Sequence, residues 1–293
     1  MKRHYGILSA LIFAPLLTAQ AQTDYVKEIE KWRTEREANL KKETGWLTVA
    51  GLSWLKEGKN TVGAGESFDV RLTNNFKGKF GEIEFKNGVA TLLVEKGVEA
   101  QADGKNISAP VELVSDEKGK PTEIRTGSQM FYLIKREERF GIRLKDSNSE
   151  ARRNFKGLDW FPVDESYKVT ARFEAGTEAK ELKVPNVLGG FFKMKSPGVL
   201  KFTLKGKQAS LQPVEEDDGT LFLIFGDASN GNATYKSGRF LYADKPVNGE
   251  VTLDFNKAEN PPCAFTPYAT CPLPPAGNKL DIEVNAGEKS YEH

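Results

Sequence analysis

The sequence predicts an all-β chain of two β domains preceded by one amphipathic helix. Three observations carry this expectation. From Trp46 onward, short runs of β-branched, aromatic and aliphatic residues recur, each bounded by Gly, Asn or Asp, which is the texture of a sandwich or barrel. Asn87-Gly88, Asp103-Gly104 and Asp218-Gly219 punctuate the runs and supply the left-handed residues that tight hairpins require. One segment, residues 22–45, has helical spacing, and 293 residues are enough for two domains. The expected order is helix, N-terminal β-sandwich (46–147) and C-terminal antiparallel sandwich or barrel (148–293).

The chain opens on Lys2 and Arg3, then the apolar run Ile7 to Leu17, then Ala19-Gln20-Ala21. A charged start, an apolar stretch too short to span a bilayer and a small-x-small site describe a secretory signal peptide over residues 1–21. The mature protein is expected to be exported, periplasmic or extracellular, with no transmembrane segment. Loss of the signal moves the formal charge from +1 to about −1. Charges of both signs are interspersed, so the concentrated basic footprint of a nucleic-acid binder is missing.

Within the helix, Tyr25, Ile29, Trp32 and Leu40 approach one face, and Glu37 stands four residues before Lys41. Thr23 or Asp24 is the expected cap, Gly45 the expected left-handed stop, and the first β domain the expected resting place. Candidate strands follow at 68–72, 81–85, 89–94, 130–135 and 139–144. Residues 148–162 cross to the second domain, whose strands are expected at 167–174, 179–184, 200–205, 208–214, 220–225, 239–243, 250–255 and 280–284. In Leu200 to Lys205 the alternation of apolar and polar residues buries one face.

Available chemistry is narrow. The two histidines are His4, in the expected signal, and His293, at the extreme end. A Ser-His or Cys-His nucleophile pair therefore has no imidazole base in the body of the mature chain. Gly51-Leu52-Ser53-Trp54 lacks the second glycine of a nucleophile elbow, and Gly63-Ala64-Gly65 lacks the third glycine of a dinucleotide fingerprint. Carboxylates remain. Asp227 and Asp254 close strands and form one possible acid–base pair, although turn capping explains such residues equally well. Arg239 requires a carboxylate from Asp254 or from a ligand, and Arg152 faces the same choice with Asp159. Trp160, Tyr235 and Tyr268 suit either a stacking platform or a core. No cofactor or metal site is expected.

The densest stretch is 254–275, with both cysteines and six of the fourteen prolines. No helix or inner strand can run through it, yet Phe265, Tyr268 and Leu273 are too apolar for a solvated tether. The expectation is an ordered loop. In an exported protein Cys263 and Cys271 default to a disulfide, with a metal pair or a free thiol as the rival readings.

The spacing Gly58…Val62-Gly63…Leu72…Val89…Gly104-Lys105-Asn106 resembles the outline of a forkhead-associated-type sandwich. In that family an arginine follows the glycine and a Ser-x-x-His pair reads phosphothreonine. Here Ala64 follows Gly63 and the region has no histidine, so the resemblance implies a scaffold without phosphopeptide reading.

A second resemblance spans most of the mature chain. Gly238-Arg239-Phe240-Leu241-Tyr242, Leu253 to Ala258, Asn260-Pro261-Pro262-Cys263-Ala264-Phe265, Tyr268-Ala269-Thr270-Cys271-Pro272-Leu273-Pro274-Pro275 and Ala286-Gly287-Glu288-Lys289 resemble the family called domain of unknown function 1684. Gly45-Trp46-Leu47, Gly51-Leu52, Trp54-Leu55 and the Asp159 region agree with it. Glu259 departs from an aromatic that is more usual there. The resemblance brings no activity.

The functional expectation is a binding protein for a small polar molecule, glycan or envelope fragment, in a cleft beside the 254–275 loop. Its candidate ligand residues are Arg152, Asp159, Trp160, Tyr235, Arg239, Asp254, Asn256, Asn260 and Tyr268. The alternatives are a histidine-free, metal-independent hydrolase using Asp227 and Asp254, and a structural component of the envelope.

Overall fold

A computed structural model describes residues 14–291, and side chains from residue 22 onward except 178 and 179. Helix α1 (Ala14–Lys41) leads the chain. Residues 1–13 of the expected signal lie outside the described residues, and residues 14–21 continue the helix, so Thr23 and Asp24 sit inside it rather than at its cap. Gly45 is not left-handed. Its φ is −70° and ψ is 170°, and a glycine is needed because a Cβ would lie 2.2 Å from the Leu40 carbonyl oxygen.

The N-terminal half is a β-sandwich. Its strands are β1 (Val49–Trp54), β2 (Gly58–Ala64), β3 (Val70–Leu72), β4 (Lys79–Lys86), β5 (Val89–Val94), β6 (Gln101–Ala102), β7 (Lys105–Asn106), β8 (Val111–Leu113), β9 (Ile124–Thr126), β10 (Gln129–Arg136) and β11 (Arg139–Asp146). One sheet runs β3-β2-β4-β5-β8 and the other β1-β11-β10-β9-β6-β7. Asn87 and Gly88 have φ of 51° and 80°, as the β4–β5 hairpin requires. Val62, Phe80, Ile83, Leu92, Phe131 and Ile142 meet in the core between the sheets. β2 and β3 pair in parallel, which the hairpin signals alone could not indicate.

A short helix, α2 (Glu150–Asn154), begins the crossing. The C-terminal half then forms β12 (Lys168–Pro185), β13 (Phe191–Leu204), β14 (Lys207–Leu211), β15 (Val214–Glu215), β16 (Leu221–Asp227), β17 (Arg239–Ala243), β18 (Glu250–Asp254) and β19 (Lys279–Leu280). The two strands expected at 167–174 and 179–184 are one long strand, with a register shift between Ala175 and Lys180. The strand expected at 280–284 shrinks to β19, parallel to β16. Sheet β14-β13-β12-β18 faces sheet β15-β16-β17 across Leu200, Phe202, Leu221, Leu223, Phe225, Leu241 and Leu253.

β16 explains where the proline-rich loop goes. Leu221 to Asp227 are all buried, so both faces of this strand are covered. Leu221, Leu223 and Phe225 point into the inter-sheet core, whereas Phe222 and Ile224 face the loop residues Ala269 and Cys271. The loop is thus a third layer on the outer face of β16 and β17. Backbone bonds pin it: Phe240 and Glu259 exchange two at 2.9 Å, and the Leu273 amide donates to the Pro185 carbonyl at 2.7 Å.

Helix α1 lies on the C-terminal half, not on the first β domain. Tyr25 bonds Asp254, Lys257 pairs with Glu28, and Arg33 donates to the Phe161 carbonyl at 2.8 Å. Its apolar residue Leu40 packs with Leu47, Phe155 and Phe265. The periodicity that predicts the helix carries no information about which surface covers it.

Candidate functional site

Most polar residues singled out in the sequence are internal fasteners. Arg239 has no exposure because it shares a strand face with Leu241 and Ala243, which enter the core. Its Nη2 donates to Asp227 Oδ2 at 2.9 Å and to the Val284 carbonyl at 2.7 Å, and Nη1 donates to the Ala286 carbonyl. Its acidic partner is Asp227, not Asp254. Asp227 also accepts from the Ser229 amide at 2.8 Å, the Ser229 hydroxyl and the Val284 amide at 3.2 Å.

Asp254 belongs to a separate cluster. It accepts from the Tyr25 hydroxyl at 3.0 Å and from the Asn256 amide at 3.1 Å, and Asn256 Nδ2 reaches Tyr25 and the Asp164 carbonyl at 2.9 Å. These bonds seat α1 on the end of β18. Asp227 and Asp254 therefore share no hydrogen-bond partner, and each has its oxygens occupied by the protein. An acid–base pair needs a free face toward substrate, which neither carboxylate offers here.

The remaining candidates divide between surfaces. Arg152 does not pair with Asp159. It donates to the carbonyls of Lys41 and Ser147, both at 2.7 Å, closing the C-terminus of α1. Trp160 donates to Glu37 at 3.2 Å, lies beneath the Arg33 guanidinium at 4.9 Å and meets Trp32 edge-on. Tyr235 donates to the Cys263 carbonyl at 3.1 Å. Asn260 binds Glu288 and Lys289. Tyr268 and Asp159 remain exposed, in two different hollows.

A cavity of about 380 Å³ does open beside the cysteine pair, with a different set of polar residues. Its apolar walls are Trp46, Phe192, Met194, Phe222, Phe240 and Tyr242, and its loop side is Glu259, Pro262, Thr270, Cys271 and Pro272. Arg36, Arg136 and Arg143 complete it. The Thr270 hydroxyl accepts from Arg136 Nε at 2.9 Å and from Arg143 Nη2 at 3.1 Å. This single oxygen ties the outer face of the β10–β11 hairpin to the loop.

The three arginines differ in how they are neutralised. Arg136 grips Asp116 with both terminal nitrogens, at 3.1 and 2.8 Å. Arg36 sits 2.8 Å from Glu288 and 3.2 Å from Glu259. Arg143 is 3% exposed, lies over Trp46 at 5.4 Å, and forms no ion pair among the described residues. Its buried Nε has no partner. An unpaired buried cation is costly, so this group is the cavity's strongest chemical feature.

Electrostatic strain centres on Glu259. Burial, together with the nearby carboxylate of Glu288, pushes it from 4.5 to about 7, against the pull of Arg36. Burial likewise pushes Glu288 up, opposed by Arg36 and by the Asn260 amide. Tyr242 is 48% exposed, yet its phenol, crowded by the apolar wall and close to Glu259, is pushed up and stays neutral. Cys263 and Cys271 are unbridged thiols in contact, with the Cys263 amide 3.1 Å from Cys271 Sγ. Their mutual hydrogen bond lowers the Cys263 thiol and raises that of buried Cys271. Among the described residues no group of three metal-ligating side chains occurs, and no helix is long and apolar enough to cross a membrane.

Sequence reasoning missed Arg36, Arg136 and Arg143. Along β11, Ile142 and Leu144 enter the N-terminal core, so Arg143 points the other way and reads as an exposed charge. It is buried because a loop more than a hundred residues downstream covers it, and no local pattern encodes that. Glu259, noted only as a departure from the usual aromatic, was the one available signal.

Residues 153–289 match the family described as a protein of unknown function, DUF1684. Among solved structures the chain is similar to an uncharacterised protein of Haloarcula marismortui, solved in solution, at 31% identity. That likeness covers 49% of this chain and 82% of the other, with a TM-score of 0.41. A second similar structure, the Rv0020c FHA structure, is 19% identical over 33% of this chain and 94% of its own, with a TM-score of 0.22. None of the curated proteins matches the chain.

Proposed function

The chain belongs, through residues 153–289, to the DUF1684 family of proteins of unknown function, and we propose that it binds a small acidic molecule in the cavity beside Cys271. The observation that carries this reading is Arg143: a guanidinium 3% exposed, with an unpartnered Nε and no carboxylate, at the wall of a 380 Å³ cavity. Small-molecule sites are mostly apolar concavities with a few converging polar groups, and a carboxylate or phosphate oxygen is the natural complement of a free guanidinium edge. Trp46, Phe222 and Phe240 hold the ligand's apolar part.

The signal-like N-terminus supports action after export, on an acid-bearing fragment of the cell envelope or another small acid. In an oxidising compartment the touching thiols of Cys263 and Cys271 close to a disulfide and stiffen the cavity wall. The test is a thermal-shift and calorimetric screen of the mature protein against simple carboxylates, sugar phosphates and acidic muropeptides. A hit that stabilises the wild type and is lost in Arg143→Gln is expected. Saturating panels that leave both proteins unchanged overturn the reading.

A further inference from the structure

The cavity's charge balance turns on one carboxyl. Arg136 is matched by Asp116. Arg36 serves two carboxylates at once, Glu288 and Glu259, so one negative charge there lacks a cation of its own. Arg143, on the same cavity, is a cation that lacks an anion. With Glu259 ionised the sum is neutral: three arginines stand against Asp116, Glu259 and Glu288.

A ligand anion settling on Arg143 breaks that balance by one negative charge in a buried site, where an unmatched charge is expensive. The economical correction is a proton. Resting on the acid-binding reading above, we propose that the cavity selects a singly charged organic acid with an apolar body, and takes it up together with one proton carried by Glu259.

Glu259 is the carboxyl placed to accept it. Glu288 is wholly buried and receives both Arg36 Nε and the Asn260 amide, at 2.8 and 2.7 Å, bonds that favour its charged form. Glu259 has one ion-pair contact, at 3.2 Å, and a side chain 16% exposed. The groups around it are Arg36 on α1, Glu288 on the C-terminal segment and Tyr242 on β17, with Arg136, Arg143 and Cys271 on the cavity they share. Burial pushes both carboxyls up, Glu259 to about 7, but Glu288 is held by two donors and Glu259 by a single ion-pair contact.

The ligand class follows from the same groups. One uncompensated guanidinium and one protonatable carboxyl accommodate a single negative charge, and a dianion leaves a second one unmatched. A volume of 380 Å³ lies near the lower end of small-molecule sites. Its aromatic and thioether walls suit a ring or short chain. A monocarboxylate with an apolar body fits, and a highly hydroxylated or doubly charged compound does not.

The probes are 4-phenylbutyrate, octanoate and phenyl phosphate, titrated calorimetrically into the full mature protein between pH 6.5 and 8.5. Two buffers of different ionisation enthalpy report protons taken up. The carboxylates are expected to bind with uptake approaching one proton near pH 8, and to weaken about twentyfold over this range. Phenyl phosphate is expected to bind at least tenfold more weakly at pH 8. In Glu259→Gln the pH dependence and the proton uptake disappear while binding persists. Arg143-dependent carboxylate binding without proton uptake in the wild type overturns this inference and leaves the acid-binding reading standing, as does a preference for phenyl phosphate. Absence of binding by every probe and by the wider panel removes both. The wild-type proton count does not depend on any variant folding.

Discussion

Arg239 Nη2 lies 2.9 Å from Asp227 Oδ2, with neither side chain exposed at all. Three carbonyls of residues 284–288 accept from Nη1 and Nη2, while the buried Nε has no partner, so the pair draws the C-terminal segment onto the ends of β16 and β17. Cutting one partner strands a buried charge. Asp227→Asn is expected to cost about 3–5 kcal/mol of stability in urea unfolding. Joint replacement by Asp227→Leu and Arg239→Met should cost less than either single change. A near-neutral Asp227→Asn would show that the pair fastens nothing.

The Thr270 hydroxyl is the acceptor shared by Arg136 and Arg143. Arg136 retains Asp116 when it is removed, but Arg143 loses its one side-chain bond. Thr270→Val should therefore cost about 1–3 kcal/mol, measured by denaturant midpoint at unchanged slope. Thr270→Ser, which keeps the oxygen, should recover most of it.

Weakened carboxyl acidity sets the pH response. Glu259 titrates at about 7 in the folded protein against 4.5 ordinarily, so the native state holds an extra proton between those values. The stabilisation is fully present below about 4.5 and is lost as pH rises through 7. The loss amounts to about 3 kcal/mol. Glu259→Gln cannot lose a proton there, and its stability should fall by about 3 kcal/mol less than the wild type's across that window. Parallel wild-type and variant stability curves from pH 5 to 8 would contradict this assignment.

The two thiols are unequal. Cys263 is half-buried with its thiol lowered, and Cys271 is buried with its thiol raised. In the reduced, folded protein, alkylation near pH 8 should label Cys263 first, as read by peptide mass spectrometry. Protein recovered from an oxidising compartment should show neither thiol until reduced. Equal labelling rates would place both sulfurs in a common, mobile environment.

What the residues reveal in advance is set by the range over which their patterns act. Asn87-Gly88 fixes a hairpin because the required φ values are local, and Arg239–Ala243 reads as a strand because its alternation is local. The same alternation places Arg239 on the face of Leu241 and Ala243, which argues for a core arginine rather than a ligand handle. Asp254 and Asn256 misled for a related reason. A strand-end carboxylate caps its own turn or greets a ligand with identical sequence, and here the decisive partner, Tyr25, lies 229 residues away. Arg143 was invisible because its cover comes from Thr270, in a loop whose path no nearby pattern specifies. The loop's order, by contrast, was legible: six prolines and several large apolar side chains leave few alternatives to packing.

The tie between Thr270 and the two arginines divides the cavity unevenly along the chain. Walls and carboxyls come mainly from the stretch shared with the family, residues 153–289, while Arg143, the free positive charge, is outside it. A fragment trimmed to that stretch would lose Arg36, Trp46, Arg136 and Arg143 from the cavity lining, and with them every positive charge on it.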